Sequence, residues 1–301
     1  MVNPKCMTKK QHYIPQVYLR GFSPEYEDSK EIENSKHTIY CYDLIKNIQF
    51  PHPIPIKSIC YEDYLYEVTD SNEEIVLPNY LEIVLGSLEK MFSKYRKMLE
   101  QKAFLPENYK TKCFLKKEEK AFWVTYMVIQ ILRMPDTIKE AEEFTLKFWK
   151  DKFSRNQAKN FAREFCLPFF KEIKGDSREA MLVEAFAKPM MSMYFAIGVD
   201  MQGRIITGDK PVYIHSKSFP CEEYDIVIFP ITSRICLFLL GGKEKNPYYK
   251  NRLFPMNDEV LEMITKSITE AAHEKLYSNH LLNDKELCQI HEVMRDKEGG
   301  N

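Results

Sequence analysis

The chain has 301 residues, 44% hydrophobic and 13% aromatic, enough to bury a substantial core in one large domain or two ordinary ones. Its formal net charge is −1, so no global field recruits nucleic acid or an anionic membrane, and a nucleic-acid role needs a local patch. The eight cysteines include no Cys-x-x-Cys pair, so a zinc ribbon or thioredoxin-like site is not indicated.

The richest stretch comes first: Lys9-Lys10-Gln11-His12-Tyr13-Ile14-Pro15-Gln16-Val17-Tyr18-Leu19-Arg20-Gly21-Phe22. Pro15 suits the first position of a helix, Ile14 before it is pushed to an extended conformation, and Gly21 suits the left-handed position after a helix. A short helix is expected over residues 15–20, with His12 just ahead of its positive end. That placement disfavours imidazolium and leaves a neutral general base or acceptor near pH 7. The alternative is a histidine that caps a turn while Tyr13, Tyr18 and Phe22 pack.

Residues 23–37 are polar and read as a surface loop. Thr38 to Asp43 reads as a strand, Pro51, Pro53 and Pro55 as an extended connector, and Tyr64 to Val68 as a second strand. Leu81, Leu85, Leu88, Phe92 and Tyr95 mark one apolar face of a helix over residues 79–101. A helix over 116–134 is apolar nearly all round and should be buried. Its basic start, Lys110, Lys112, Lys116, Lys117 and Lys120, is interrupted by Glu118 and Glu119 and reads as solvated.

Helices continue over 137–152, 155–172 and 177–188, with Gly175-Asp176-Ser177 as a stop followed by an N-cap. Beyond Pro189 two strands, Met193 to Val199 and Arg204 to Thr207, look joined near Gln202-Gly203. Asp225 to Phe229 and Ile235 to Leu240 are apolar enough to be buried strands. A last helix starts near Asn257, with His273 and His280 read as surface cations at its end.

Two further features carry chemistry. Gln130 and Arg133 lie three apart on one face of the buried helix, and a buried arginine needs a carboxylate or an anionic ligand. Asp209, Glu82 and Glu89 are the candidate internal partners. Asp209 follows a predicted strand and precedes Lys210-Pro211, which suits a carboxylate at a sheet rim, or an ordinary Asx-turn.

The segment His12-Tyr13-Ile14-Pro15-Gln16 with Tyr18-Leu19-Arg20 and Phe22 resembles the signature of the domain of unknown function 4238 family. Gln130-Ile131-Leu132-Arg133-Met134-Pro135, Thr207-Gly208-Asp209-Lys210-Pro211-Val212 and Phe229-Pro230-Ile231 follow in that family's order, although Gly208 and Lys210 depart from its Thr-Ser-Asp-Asn-Pro-Val-like run. The resemblance spans roughly residues 8–280. It implies a family widespread in bacteria and supplies no established activity.

His-Tyr-Ile-Pro is also faintly similar to the histidine segment of metal-dependent ββα nucleases. Gln11 stands where those show His or Asp, and Asn34 and His37 lack the expected spacing. No Gly-x-Gly-x-x-Gly, phosphate-binding loop or Gly-x-Ser-x-Gly elbow occurs.

The expected fold is α+β: N-terminal strands with a short helix, a central helical block, and a C-terminal antiparallel sheet with a closing helix. It is read as one domain over 1–301, with sub-regions 1–70, 77–188 and 189–301. The expected function is a hydrolase or nuclease of phosphodiester or nucleotide substrates. In it His12 is general base, Asp209 orients it or binds a metal, and Gln16, Gln130 and Arg133 hold the anion. The alternative is a non-catalytic ligand-binding or sensor module of a bacterial defence or accessory system. A divalent metal stays open, nucleic acid or a nucleotide is the expected partner, and the polar N-terminus and free cysteines point to the cytoplasm rather than a membrane.

Overall fold

A computed structural model describes residues 7–27, 36–70, 74–76, 78–149, 152–167, 181–216 and 224–299. It is α+β. Strand β1 (Lys10–His12) is the first element among the described residues, so His12 ends a strand rather than lying in a free loop. Pro15, at φ −58° and ψ 135°, breaks that strand and leads into helix α1 (Gln16–Leu19), which tightens to a 3-10 turn at Arg20–Phe22. Gly21 is not left-handed, contrary to the sequence expectation, because the helix tightens here instead of stopping. Glycine is needed for space: a Cβ there would lie 3.0 Å from the Ile231 carbonyl oxygen and 3.2 Å from Thr232 Cγ2.

Strands β2 (Thr38–Asp43), β3 (Ile48–Gln49), β4 (Ile54–Pro55) and β5 (Tyr61–Asp63) follow. β5 pairs antiparallel with β1. The strand expected over 64–68 is displaced, because Tyr64 takes a left-handed φ of 53° and turns the chain. Short strands β6 (Val68–Thr69) and β7 (Ile75–Val76) pair after that turn.

The helical block comprises α2 (Tyr80–Ala103), α3 (Lys117–Leu132), α4 (Pro135–Trp149), α5 (Arg155–Cys166) and α6 (Met181–Met191). α3 is buried over most of its circumference, as its composition requires. Its start is fixed by the Glu119 carboxylate, which accepts the Lys116 N–H at 2.7 Å. The stop and N-cap expected at 175–177 lie outside the described residues. α6 carries Pro189 inside its last turn, so the helix runs slightly past the point where the texture changes.

The C-terminal part holds β8 (Tyr194–Val199), β9 (Thr207–Gly208), β10 (Tyr213–His215), β11 (Ile226–Thr232), β12 (Ile235–Leu240), β13 (Arg252–Pro255), α7 (Asp258–Ala271), β14 (Lys275–Ser278) and α8 (Asp284–Gly299). One sheet has the order β10-β11-β12-β8-β13 and is antiparallel except for β13 on β8. The expected β8–β9 hairpin does not form. The Asp200 carboxylate accepts the Arg204 backbone N–H at 2.7 Å and its guanidinium at 2.9 Å, and this turn sends β9 away. β9 joins a second sheet, ordered β3-β2-β14-β9 with β4 also on β2, so strands from both ends of the chain share one ladder.

Asn257 caps α7 as expected, its side-chain oxygen accepting the Val260 N–H at 3.1 Å. α7 is not the last helix, however. His273 follows it and lies 3.3 Å from Asp136, while His280 sits beyond β14 and contacts Glu286 at 3.0 Å. Among the described residues, no helix is long and apolar enough to cross a membrane.

Candidate functional site

The four sequence motifs meet at the N-terminal segment. From α3, the Arg133 guanidinium donates to the His12 backbone carbonyl at 2.6 Å, and the Gln130 amide donates to the Tyr13 carbonyl at 2.8 Å. Pro15 and the bend around it leave these carbonyls without helical or ladder partners of their own, so α3 supplies them. The buried Tyr18 hydroxyl lies 2.7 Å from Thr207 Oγ1 and donates to the Pro230 carbonyl at 2.8 Å, while its ring stacks on Phe229 at 5.5 Å. Ser233 N–H donates to the Gly21 carbonyl at 2.9 Å, and Arg96 of α2 donates to the Val17 carbonyl at 2.7 Å.

Arg133 is only 2% exposed and is held from several directions. Its Nε donates to the Tyr66 hydroxyl at 3.2 Å, Tyr66 donates back to the Arg133 carbonyl at 3.0 Å, and Nη1 lies 3.4 Å from Glu89. Of the three candidate carboxylates, Glu89 is therefore the ion-pair partner. Nearby Glu82 is half-buried; burial, with the like charges of Glu89 and Glu67, pushes its carboxyl up to about 7 against the pull of Arg133.

His12 is half-buried, and burial lowers its pKa, with Arg133 and Lys10 adding to the effect against a hydrogen bond with the Lys57 backbone. The ring is therefore neutral near pH 7. Nε2 has one long contact, 3.4 Å to the Gln16 amide nitrogen, and the ring leans on Tyr61 at 5.5 Å.

Asp209 does different work. Its buried carboxylate accepts the backbone N–H groups of His273, Glu274 and Lys275 at 2.8, 2.7 and 3.0 Å. It ties the end of β9 to the turn that starts β14. Burial raises its pKa, and the three N–H groups counter that rise. Among the described residues it makes no hydrogen bond to His12, Gln130 or Arg133. The structure thus brings His12, Gln16, Gln130 and Arg133 together and turns the Asp209 carboxylate toward the 273–275 backbone.

Sequence reasoning overlooked Tyr66, which brackets Arg133, and Arg96, which is 4% exposed on α2. An arginine on an otherwise apolar helix face was the available signal for Arg96. Cys60 was also missed: it holds a left-handed φ of 55°, donates to the Tyr277 hydroxyl at 3.2 Å, and burial pushes its thiol up to about 12, which leaves it unreactive. Among the described residues, no group of three or more His, Cys, Asp or Glu could hold a metal ion.

A family model described as "Protein of unknown function (DUF4238)" matches residues 10–280. The chain belongs to this family. No curated protein and no solved structure matches the chain. The DUF4238 motifs can therefore be read only through their geometry, and in this chain each contacts the His12–Phe22 segment.

Proposed function

We propose that the chain is a non-catalytic ligand-binding or sensor module. The observation that supports this reading is saturation. Arg133, Gln130 and Asp209 are all buried, and the Arg133 guanidinium, the Gln130 amide nitrogen and the Asp209 carboxylate are spent on groups of the chain itself. A guanidinium serving as a substrate clamp, or a carboxylate serving as a base, keeps free valence toward the reacting group. These residues instead hold the frame in which a ligand is recognised. The expected ligand is a nucleotide or a nucleic-acid phosphate, bound through a local patch because the net charge is −1, and the expected setting is the cytoplasm.

The hydrolase reading keeps one observation in its favour. A neutral His12 with a weakly engaged Nε2 sits near the pair formed by Arg133 and Glu89. One experiment separates the two readings. The wild-type chain is titrated with RNA, DNA, mononucleotides and cyclic nucleotides, with and without divalent metal, while binding and turnover are followed together. Saturable binding without turnover is expected. Turnover that disappears in His12→Ala would replace the module reading by the hydrolase one.

A further inference from the structure

Two basic stretches that are far apart in sequence share one rim of the C-terminal sheet. The first runs into α3: Lys110, Lys112, Lys116, Lys117 and Lys120. The second, Lys243, Lys245, Lys250 and Arg252, leads into β13. Asn251 joins them. Its carbonyl accepts the Phe114 N–H at 3.0 Å, its side-chain oxygen accepts the Leu115 N–H at 3.0 Å, and its amide donates to the Leu115 carbonyl at 3.0 Å. Its own N–H donates to the Phe195 carbonyl of β8 at 2.6 Å. Lys120 lies 5.2 Å from the Phe195 ring centre, and Lys250 and Lys245 lie 5.0 and 5.9 Å from that of the adjacent Tyr194.

The first four lysines are solvated, as their sequence context implies, but the fold sets them beside a second group of cations. Residues 107–120 and 243–252 hold nine Lys and Arg against four Glu, in a chain whose net charge is −1. One of those acids is spent: buried Glu119 pairs with Lys102 at 2.7 Å and accepts the Lys116 N–H. Glu107, Glu118 and Glu244 remain. None of the nine cations forms an ion pair among the described residues. Like charges held together by backbone bonds create a local field suited to a polyanion.

Aromatic rings are interleaved with these cations. Tyr248 is 59% exposed, with the Arg252 guanidinium 5.2 Å from its ring centre and the Tyr249 ring 5.1 Å away. Tyr249 also walls an apolar cavity of about 250 Å³ with Phe238, Phe254 and Val260, and meets Phe254 edge-on at 4.9 Å. An acidic protein would use the cations alone. A strand with unpaired bases would use both the cations and the rings, because bases stack on exposed aromatic and guanidinium planes.

We propose that this rim binds single-stranded nucleic acid, with phosphates on Lys245, Lys250 and their neighbours and a base stacked on Tyr248. A duplex keeps its bases stacked on one another and offers none to the ring. The surface lies at the opposite end of α3 from Arg133. The inference deepens the binding-module reading and rests on it.

The test is fluorescence anisotropy of the full chain with a labelled oligo-dT of about 20 nucleotides, over a series of salt concentrations. A duplex of the same length and poly-L-glutamate serve as competitors. Wild type is compared with the double variant Lys245→Gln/Lys250→Gln, with Tyr248→Ala, and with Lys159→Gln on α5 as a control, each checked for an intact melting transition. All four positions are exposed, so the fold should survive. Wild type should bind the single strand saturably and more tightly than either competitor. The lysine pair should weaken binding about 10-fold and reduce the salt slope by roughly one to two. Tyr248→Ala should weaken it about 5-fold or more, and Lys159→Gln should leave it unchanged. Equal affinity in wild type and the lysine pair overturns the surface while leaving the module reading intact. Unchanged affinity in Tyr248→Ala, or poly-L-glutamate competing as well as the strand, also overturns it, in favour of an acidic protein partner. A wild-type chain that binds no strand overturns the surface, and the module reading falls with it only if mononucleotides and cyclic nucleotides also fail to bind.

Discussion

Replacing Arg133 by alanine tests whether this residue is a structural strut. The substitution removes a 2.6 Å charged bond to the His12 carbonyl and a 3.2 Å bond to the Tyr66 hydroxyl, both buried. Hydrogen bonds from a charged group contribute roughly 1.5–3 kcal/mol each, and acceptors left buried and unpaired add to the loss. The third contact adds little: Glu89 is 3.4 Å away and its side chain is 28% exposed, so water can take over. Relief of the arginine's own desolvation offsets part of the total, which leaves a net loss of about 3 kcal/mol, at the low end for breaking a buried pair. For a chain of this size roughly 2 °C accompanies each kcal/mol, so the melting temperature should fall by about 6 °C. Thermal unfolding by circular dichroism, with urea midpoints as a second measure, reads the effect. Glu89→Gln should cost less than about 1 kcal/mol in the same assay. An Arg133→Ala protein that melts at or above the wild-type temperature would refute the strut and restore Arg133 as a vacant anion clamp.

Asp209→Asn should lose about 2 kcal/mol, because a neutral amide offers one acceptor oxygen to the three N–H groups of 273–275, and hydrogen exchange should speed up at those amides. Unchanged exchange there would contradict the clamp. Glu82 carries a pH signature. Its folded pKa, about 7, lies above the unfolded value, so its contribution is fully present below pH 4.5 and is lost as pH rises through 7. The melting temperature of Glu82→Gln relative to wild type should therefore rise between pH 5 and pH 8, and a flat difference would argue against the shift. Gly21→Ala should destabilise by roughly 1–3 kcal/mol, since its Cβ would press on the Ile231 carbonyl 3.0 Å away; a neutral effect in urea unfolding would show that the strand can yield.

Much of the architecture was written in local pattern. The 3.6-residue spacing of Leu81, Leu85, Leu88 and Phe92 located α2, and the apolar character of 121–132, interrupted only by Thr125 and Gln130, identified α3 as buried. Asn257 marked a helix start through its capping chemistry. What escaped depends on partners distant in sequence. Lys10–His12 is a strand only because Tyr61–Asp63 lies beside it, and a polar tripeptide carries no period of its own. The 199–207 region looked like a hairpin until the bonds between Asp200 and Arg204 redirected it. At the site, residue types identified the buried polar groups that needed partners, but not which partners they find. Arg133 could equally have met Asp209, Glu82 or Glu89.

The Tyr18 hydroxyl bridge has a consequence for how the chain is made. The bonds that lock residues 12–18 reach partners 117, 121, 189 and 212 positions away. The segment leaves the ribosome before these partners, and its last anchor, Pro230, follows 212 positions after Tyr18. Until then Tyr18 and Phe22 have no β11 to pack against, and both are large apolar side chains. Long-range closure of this kind slows folding and exposes apolar surface in the meantime. A fragment ending near residue 200 would keep the helical block and its bonds to residues 12–17 but lose both hydroxyl anchors of Tyr18, so the shortest stable piece of this fold has to include β11.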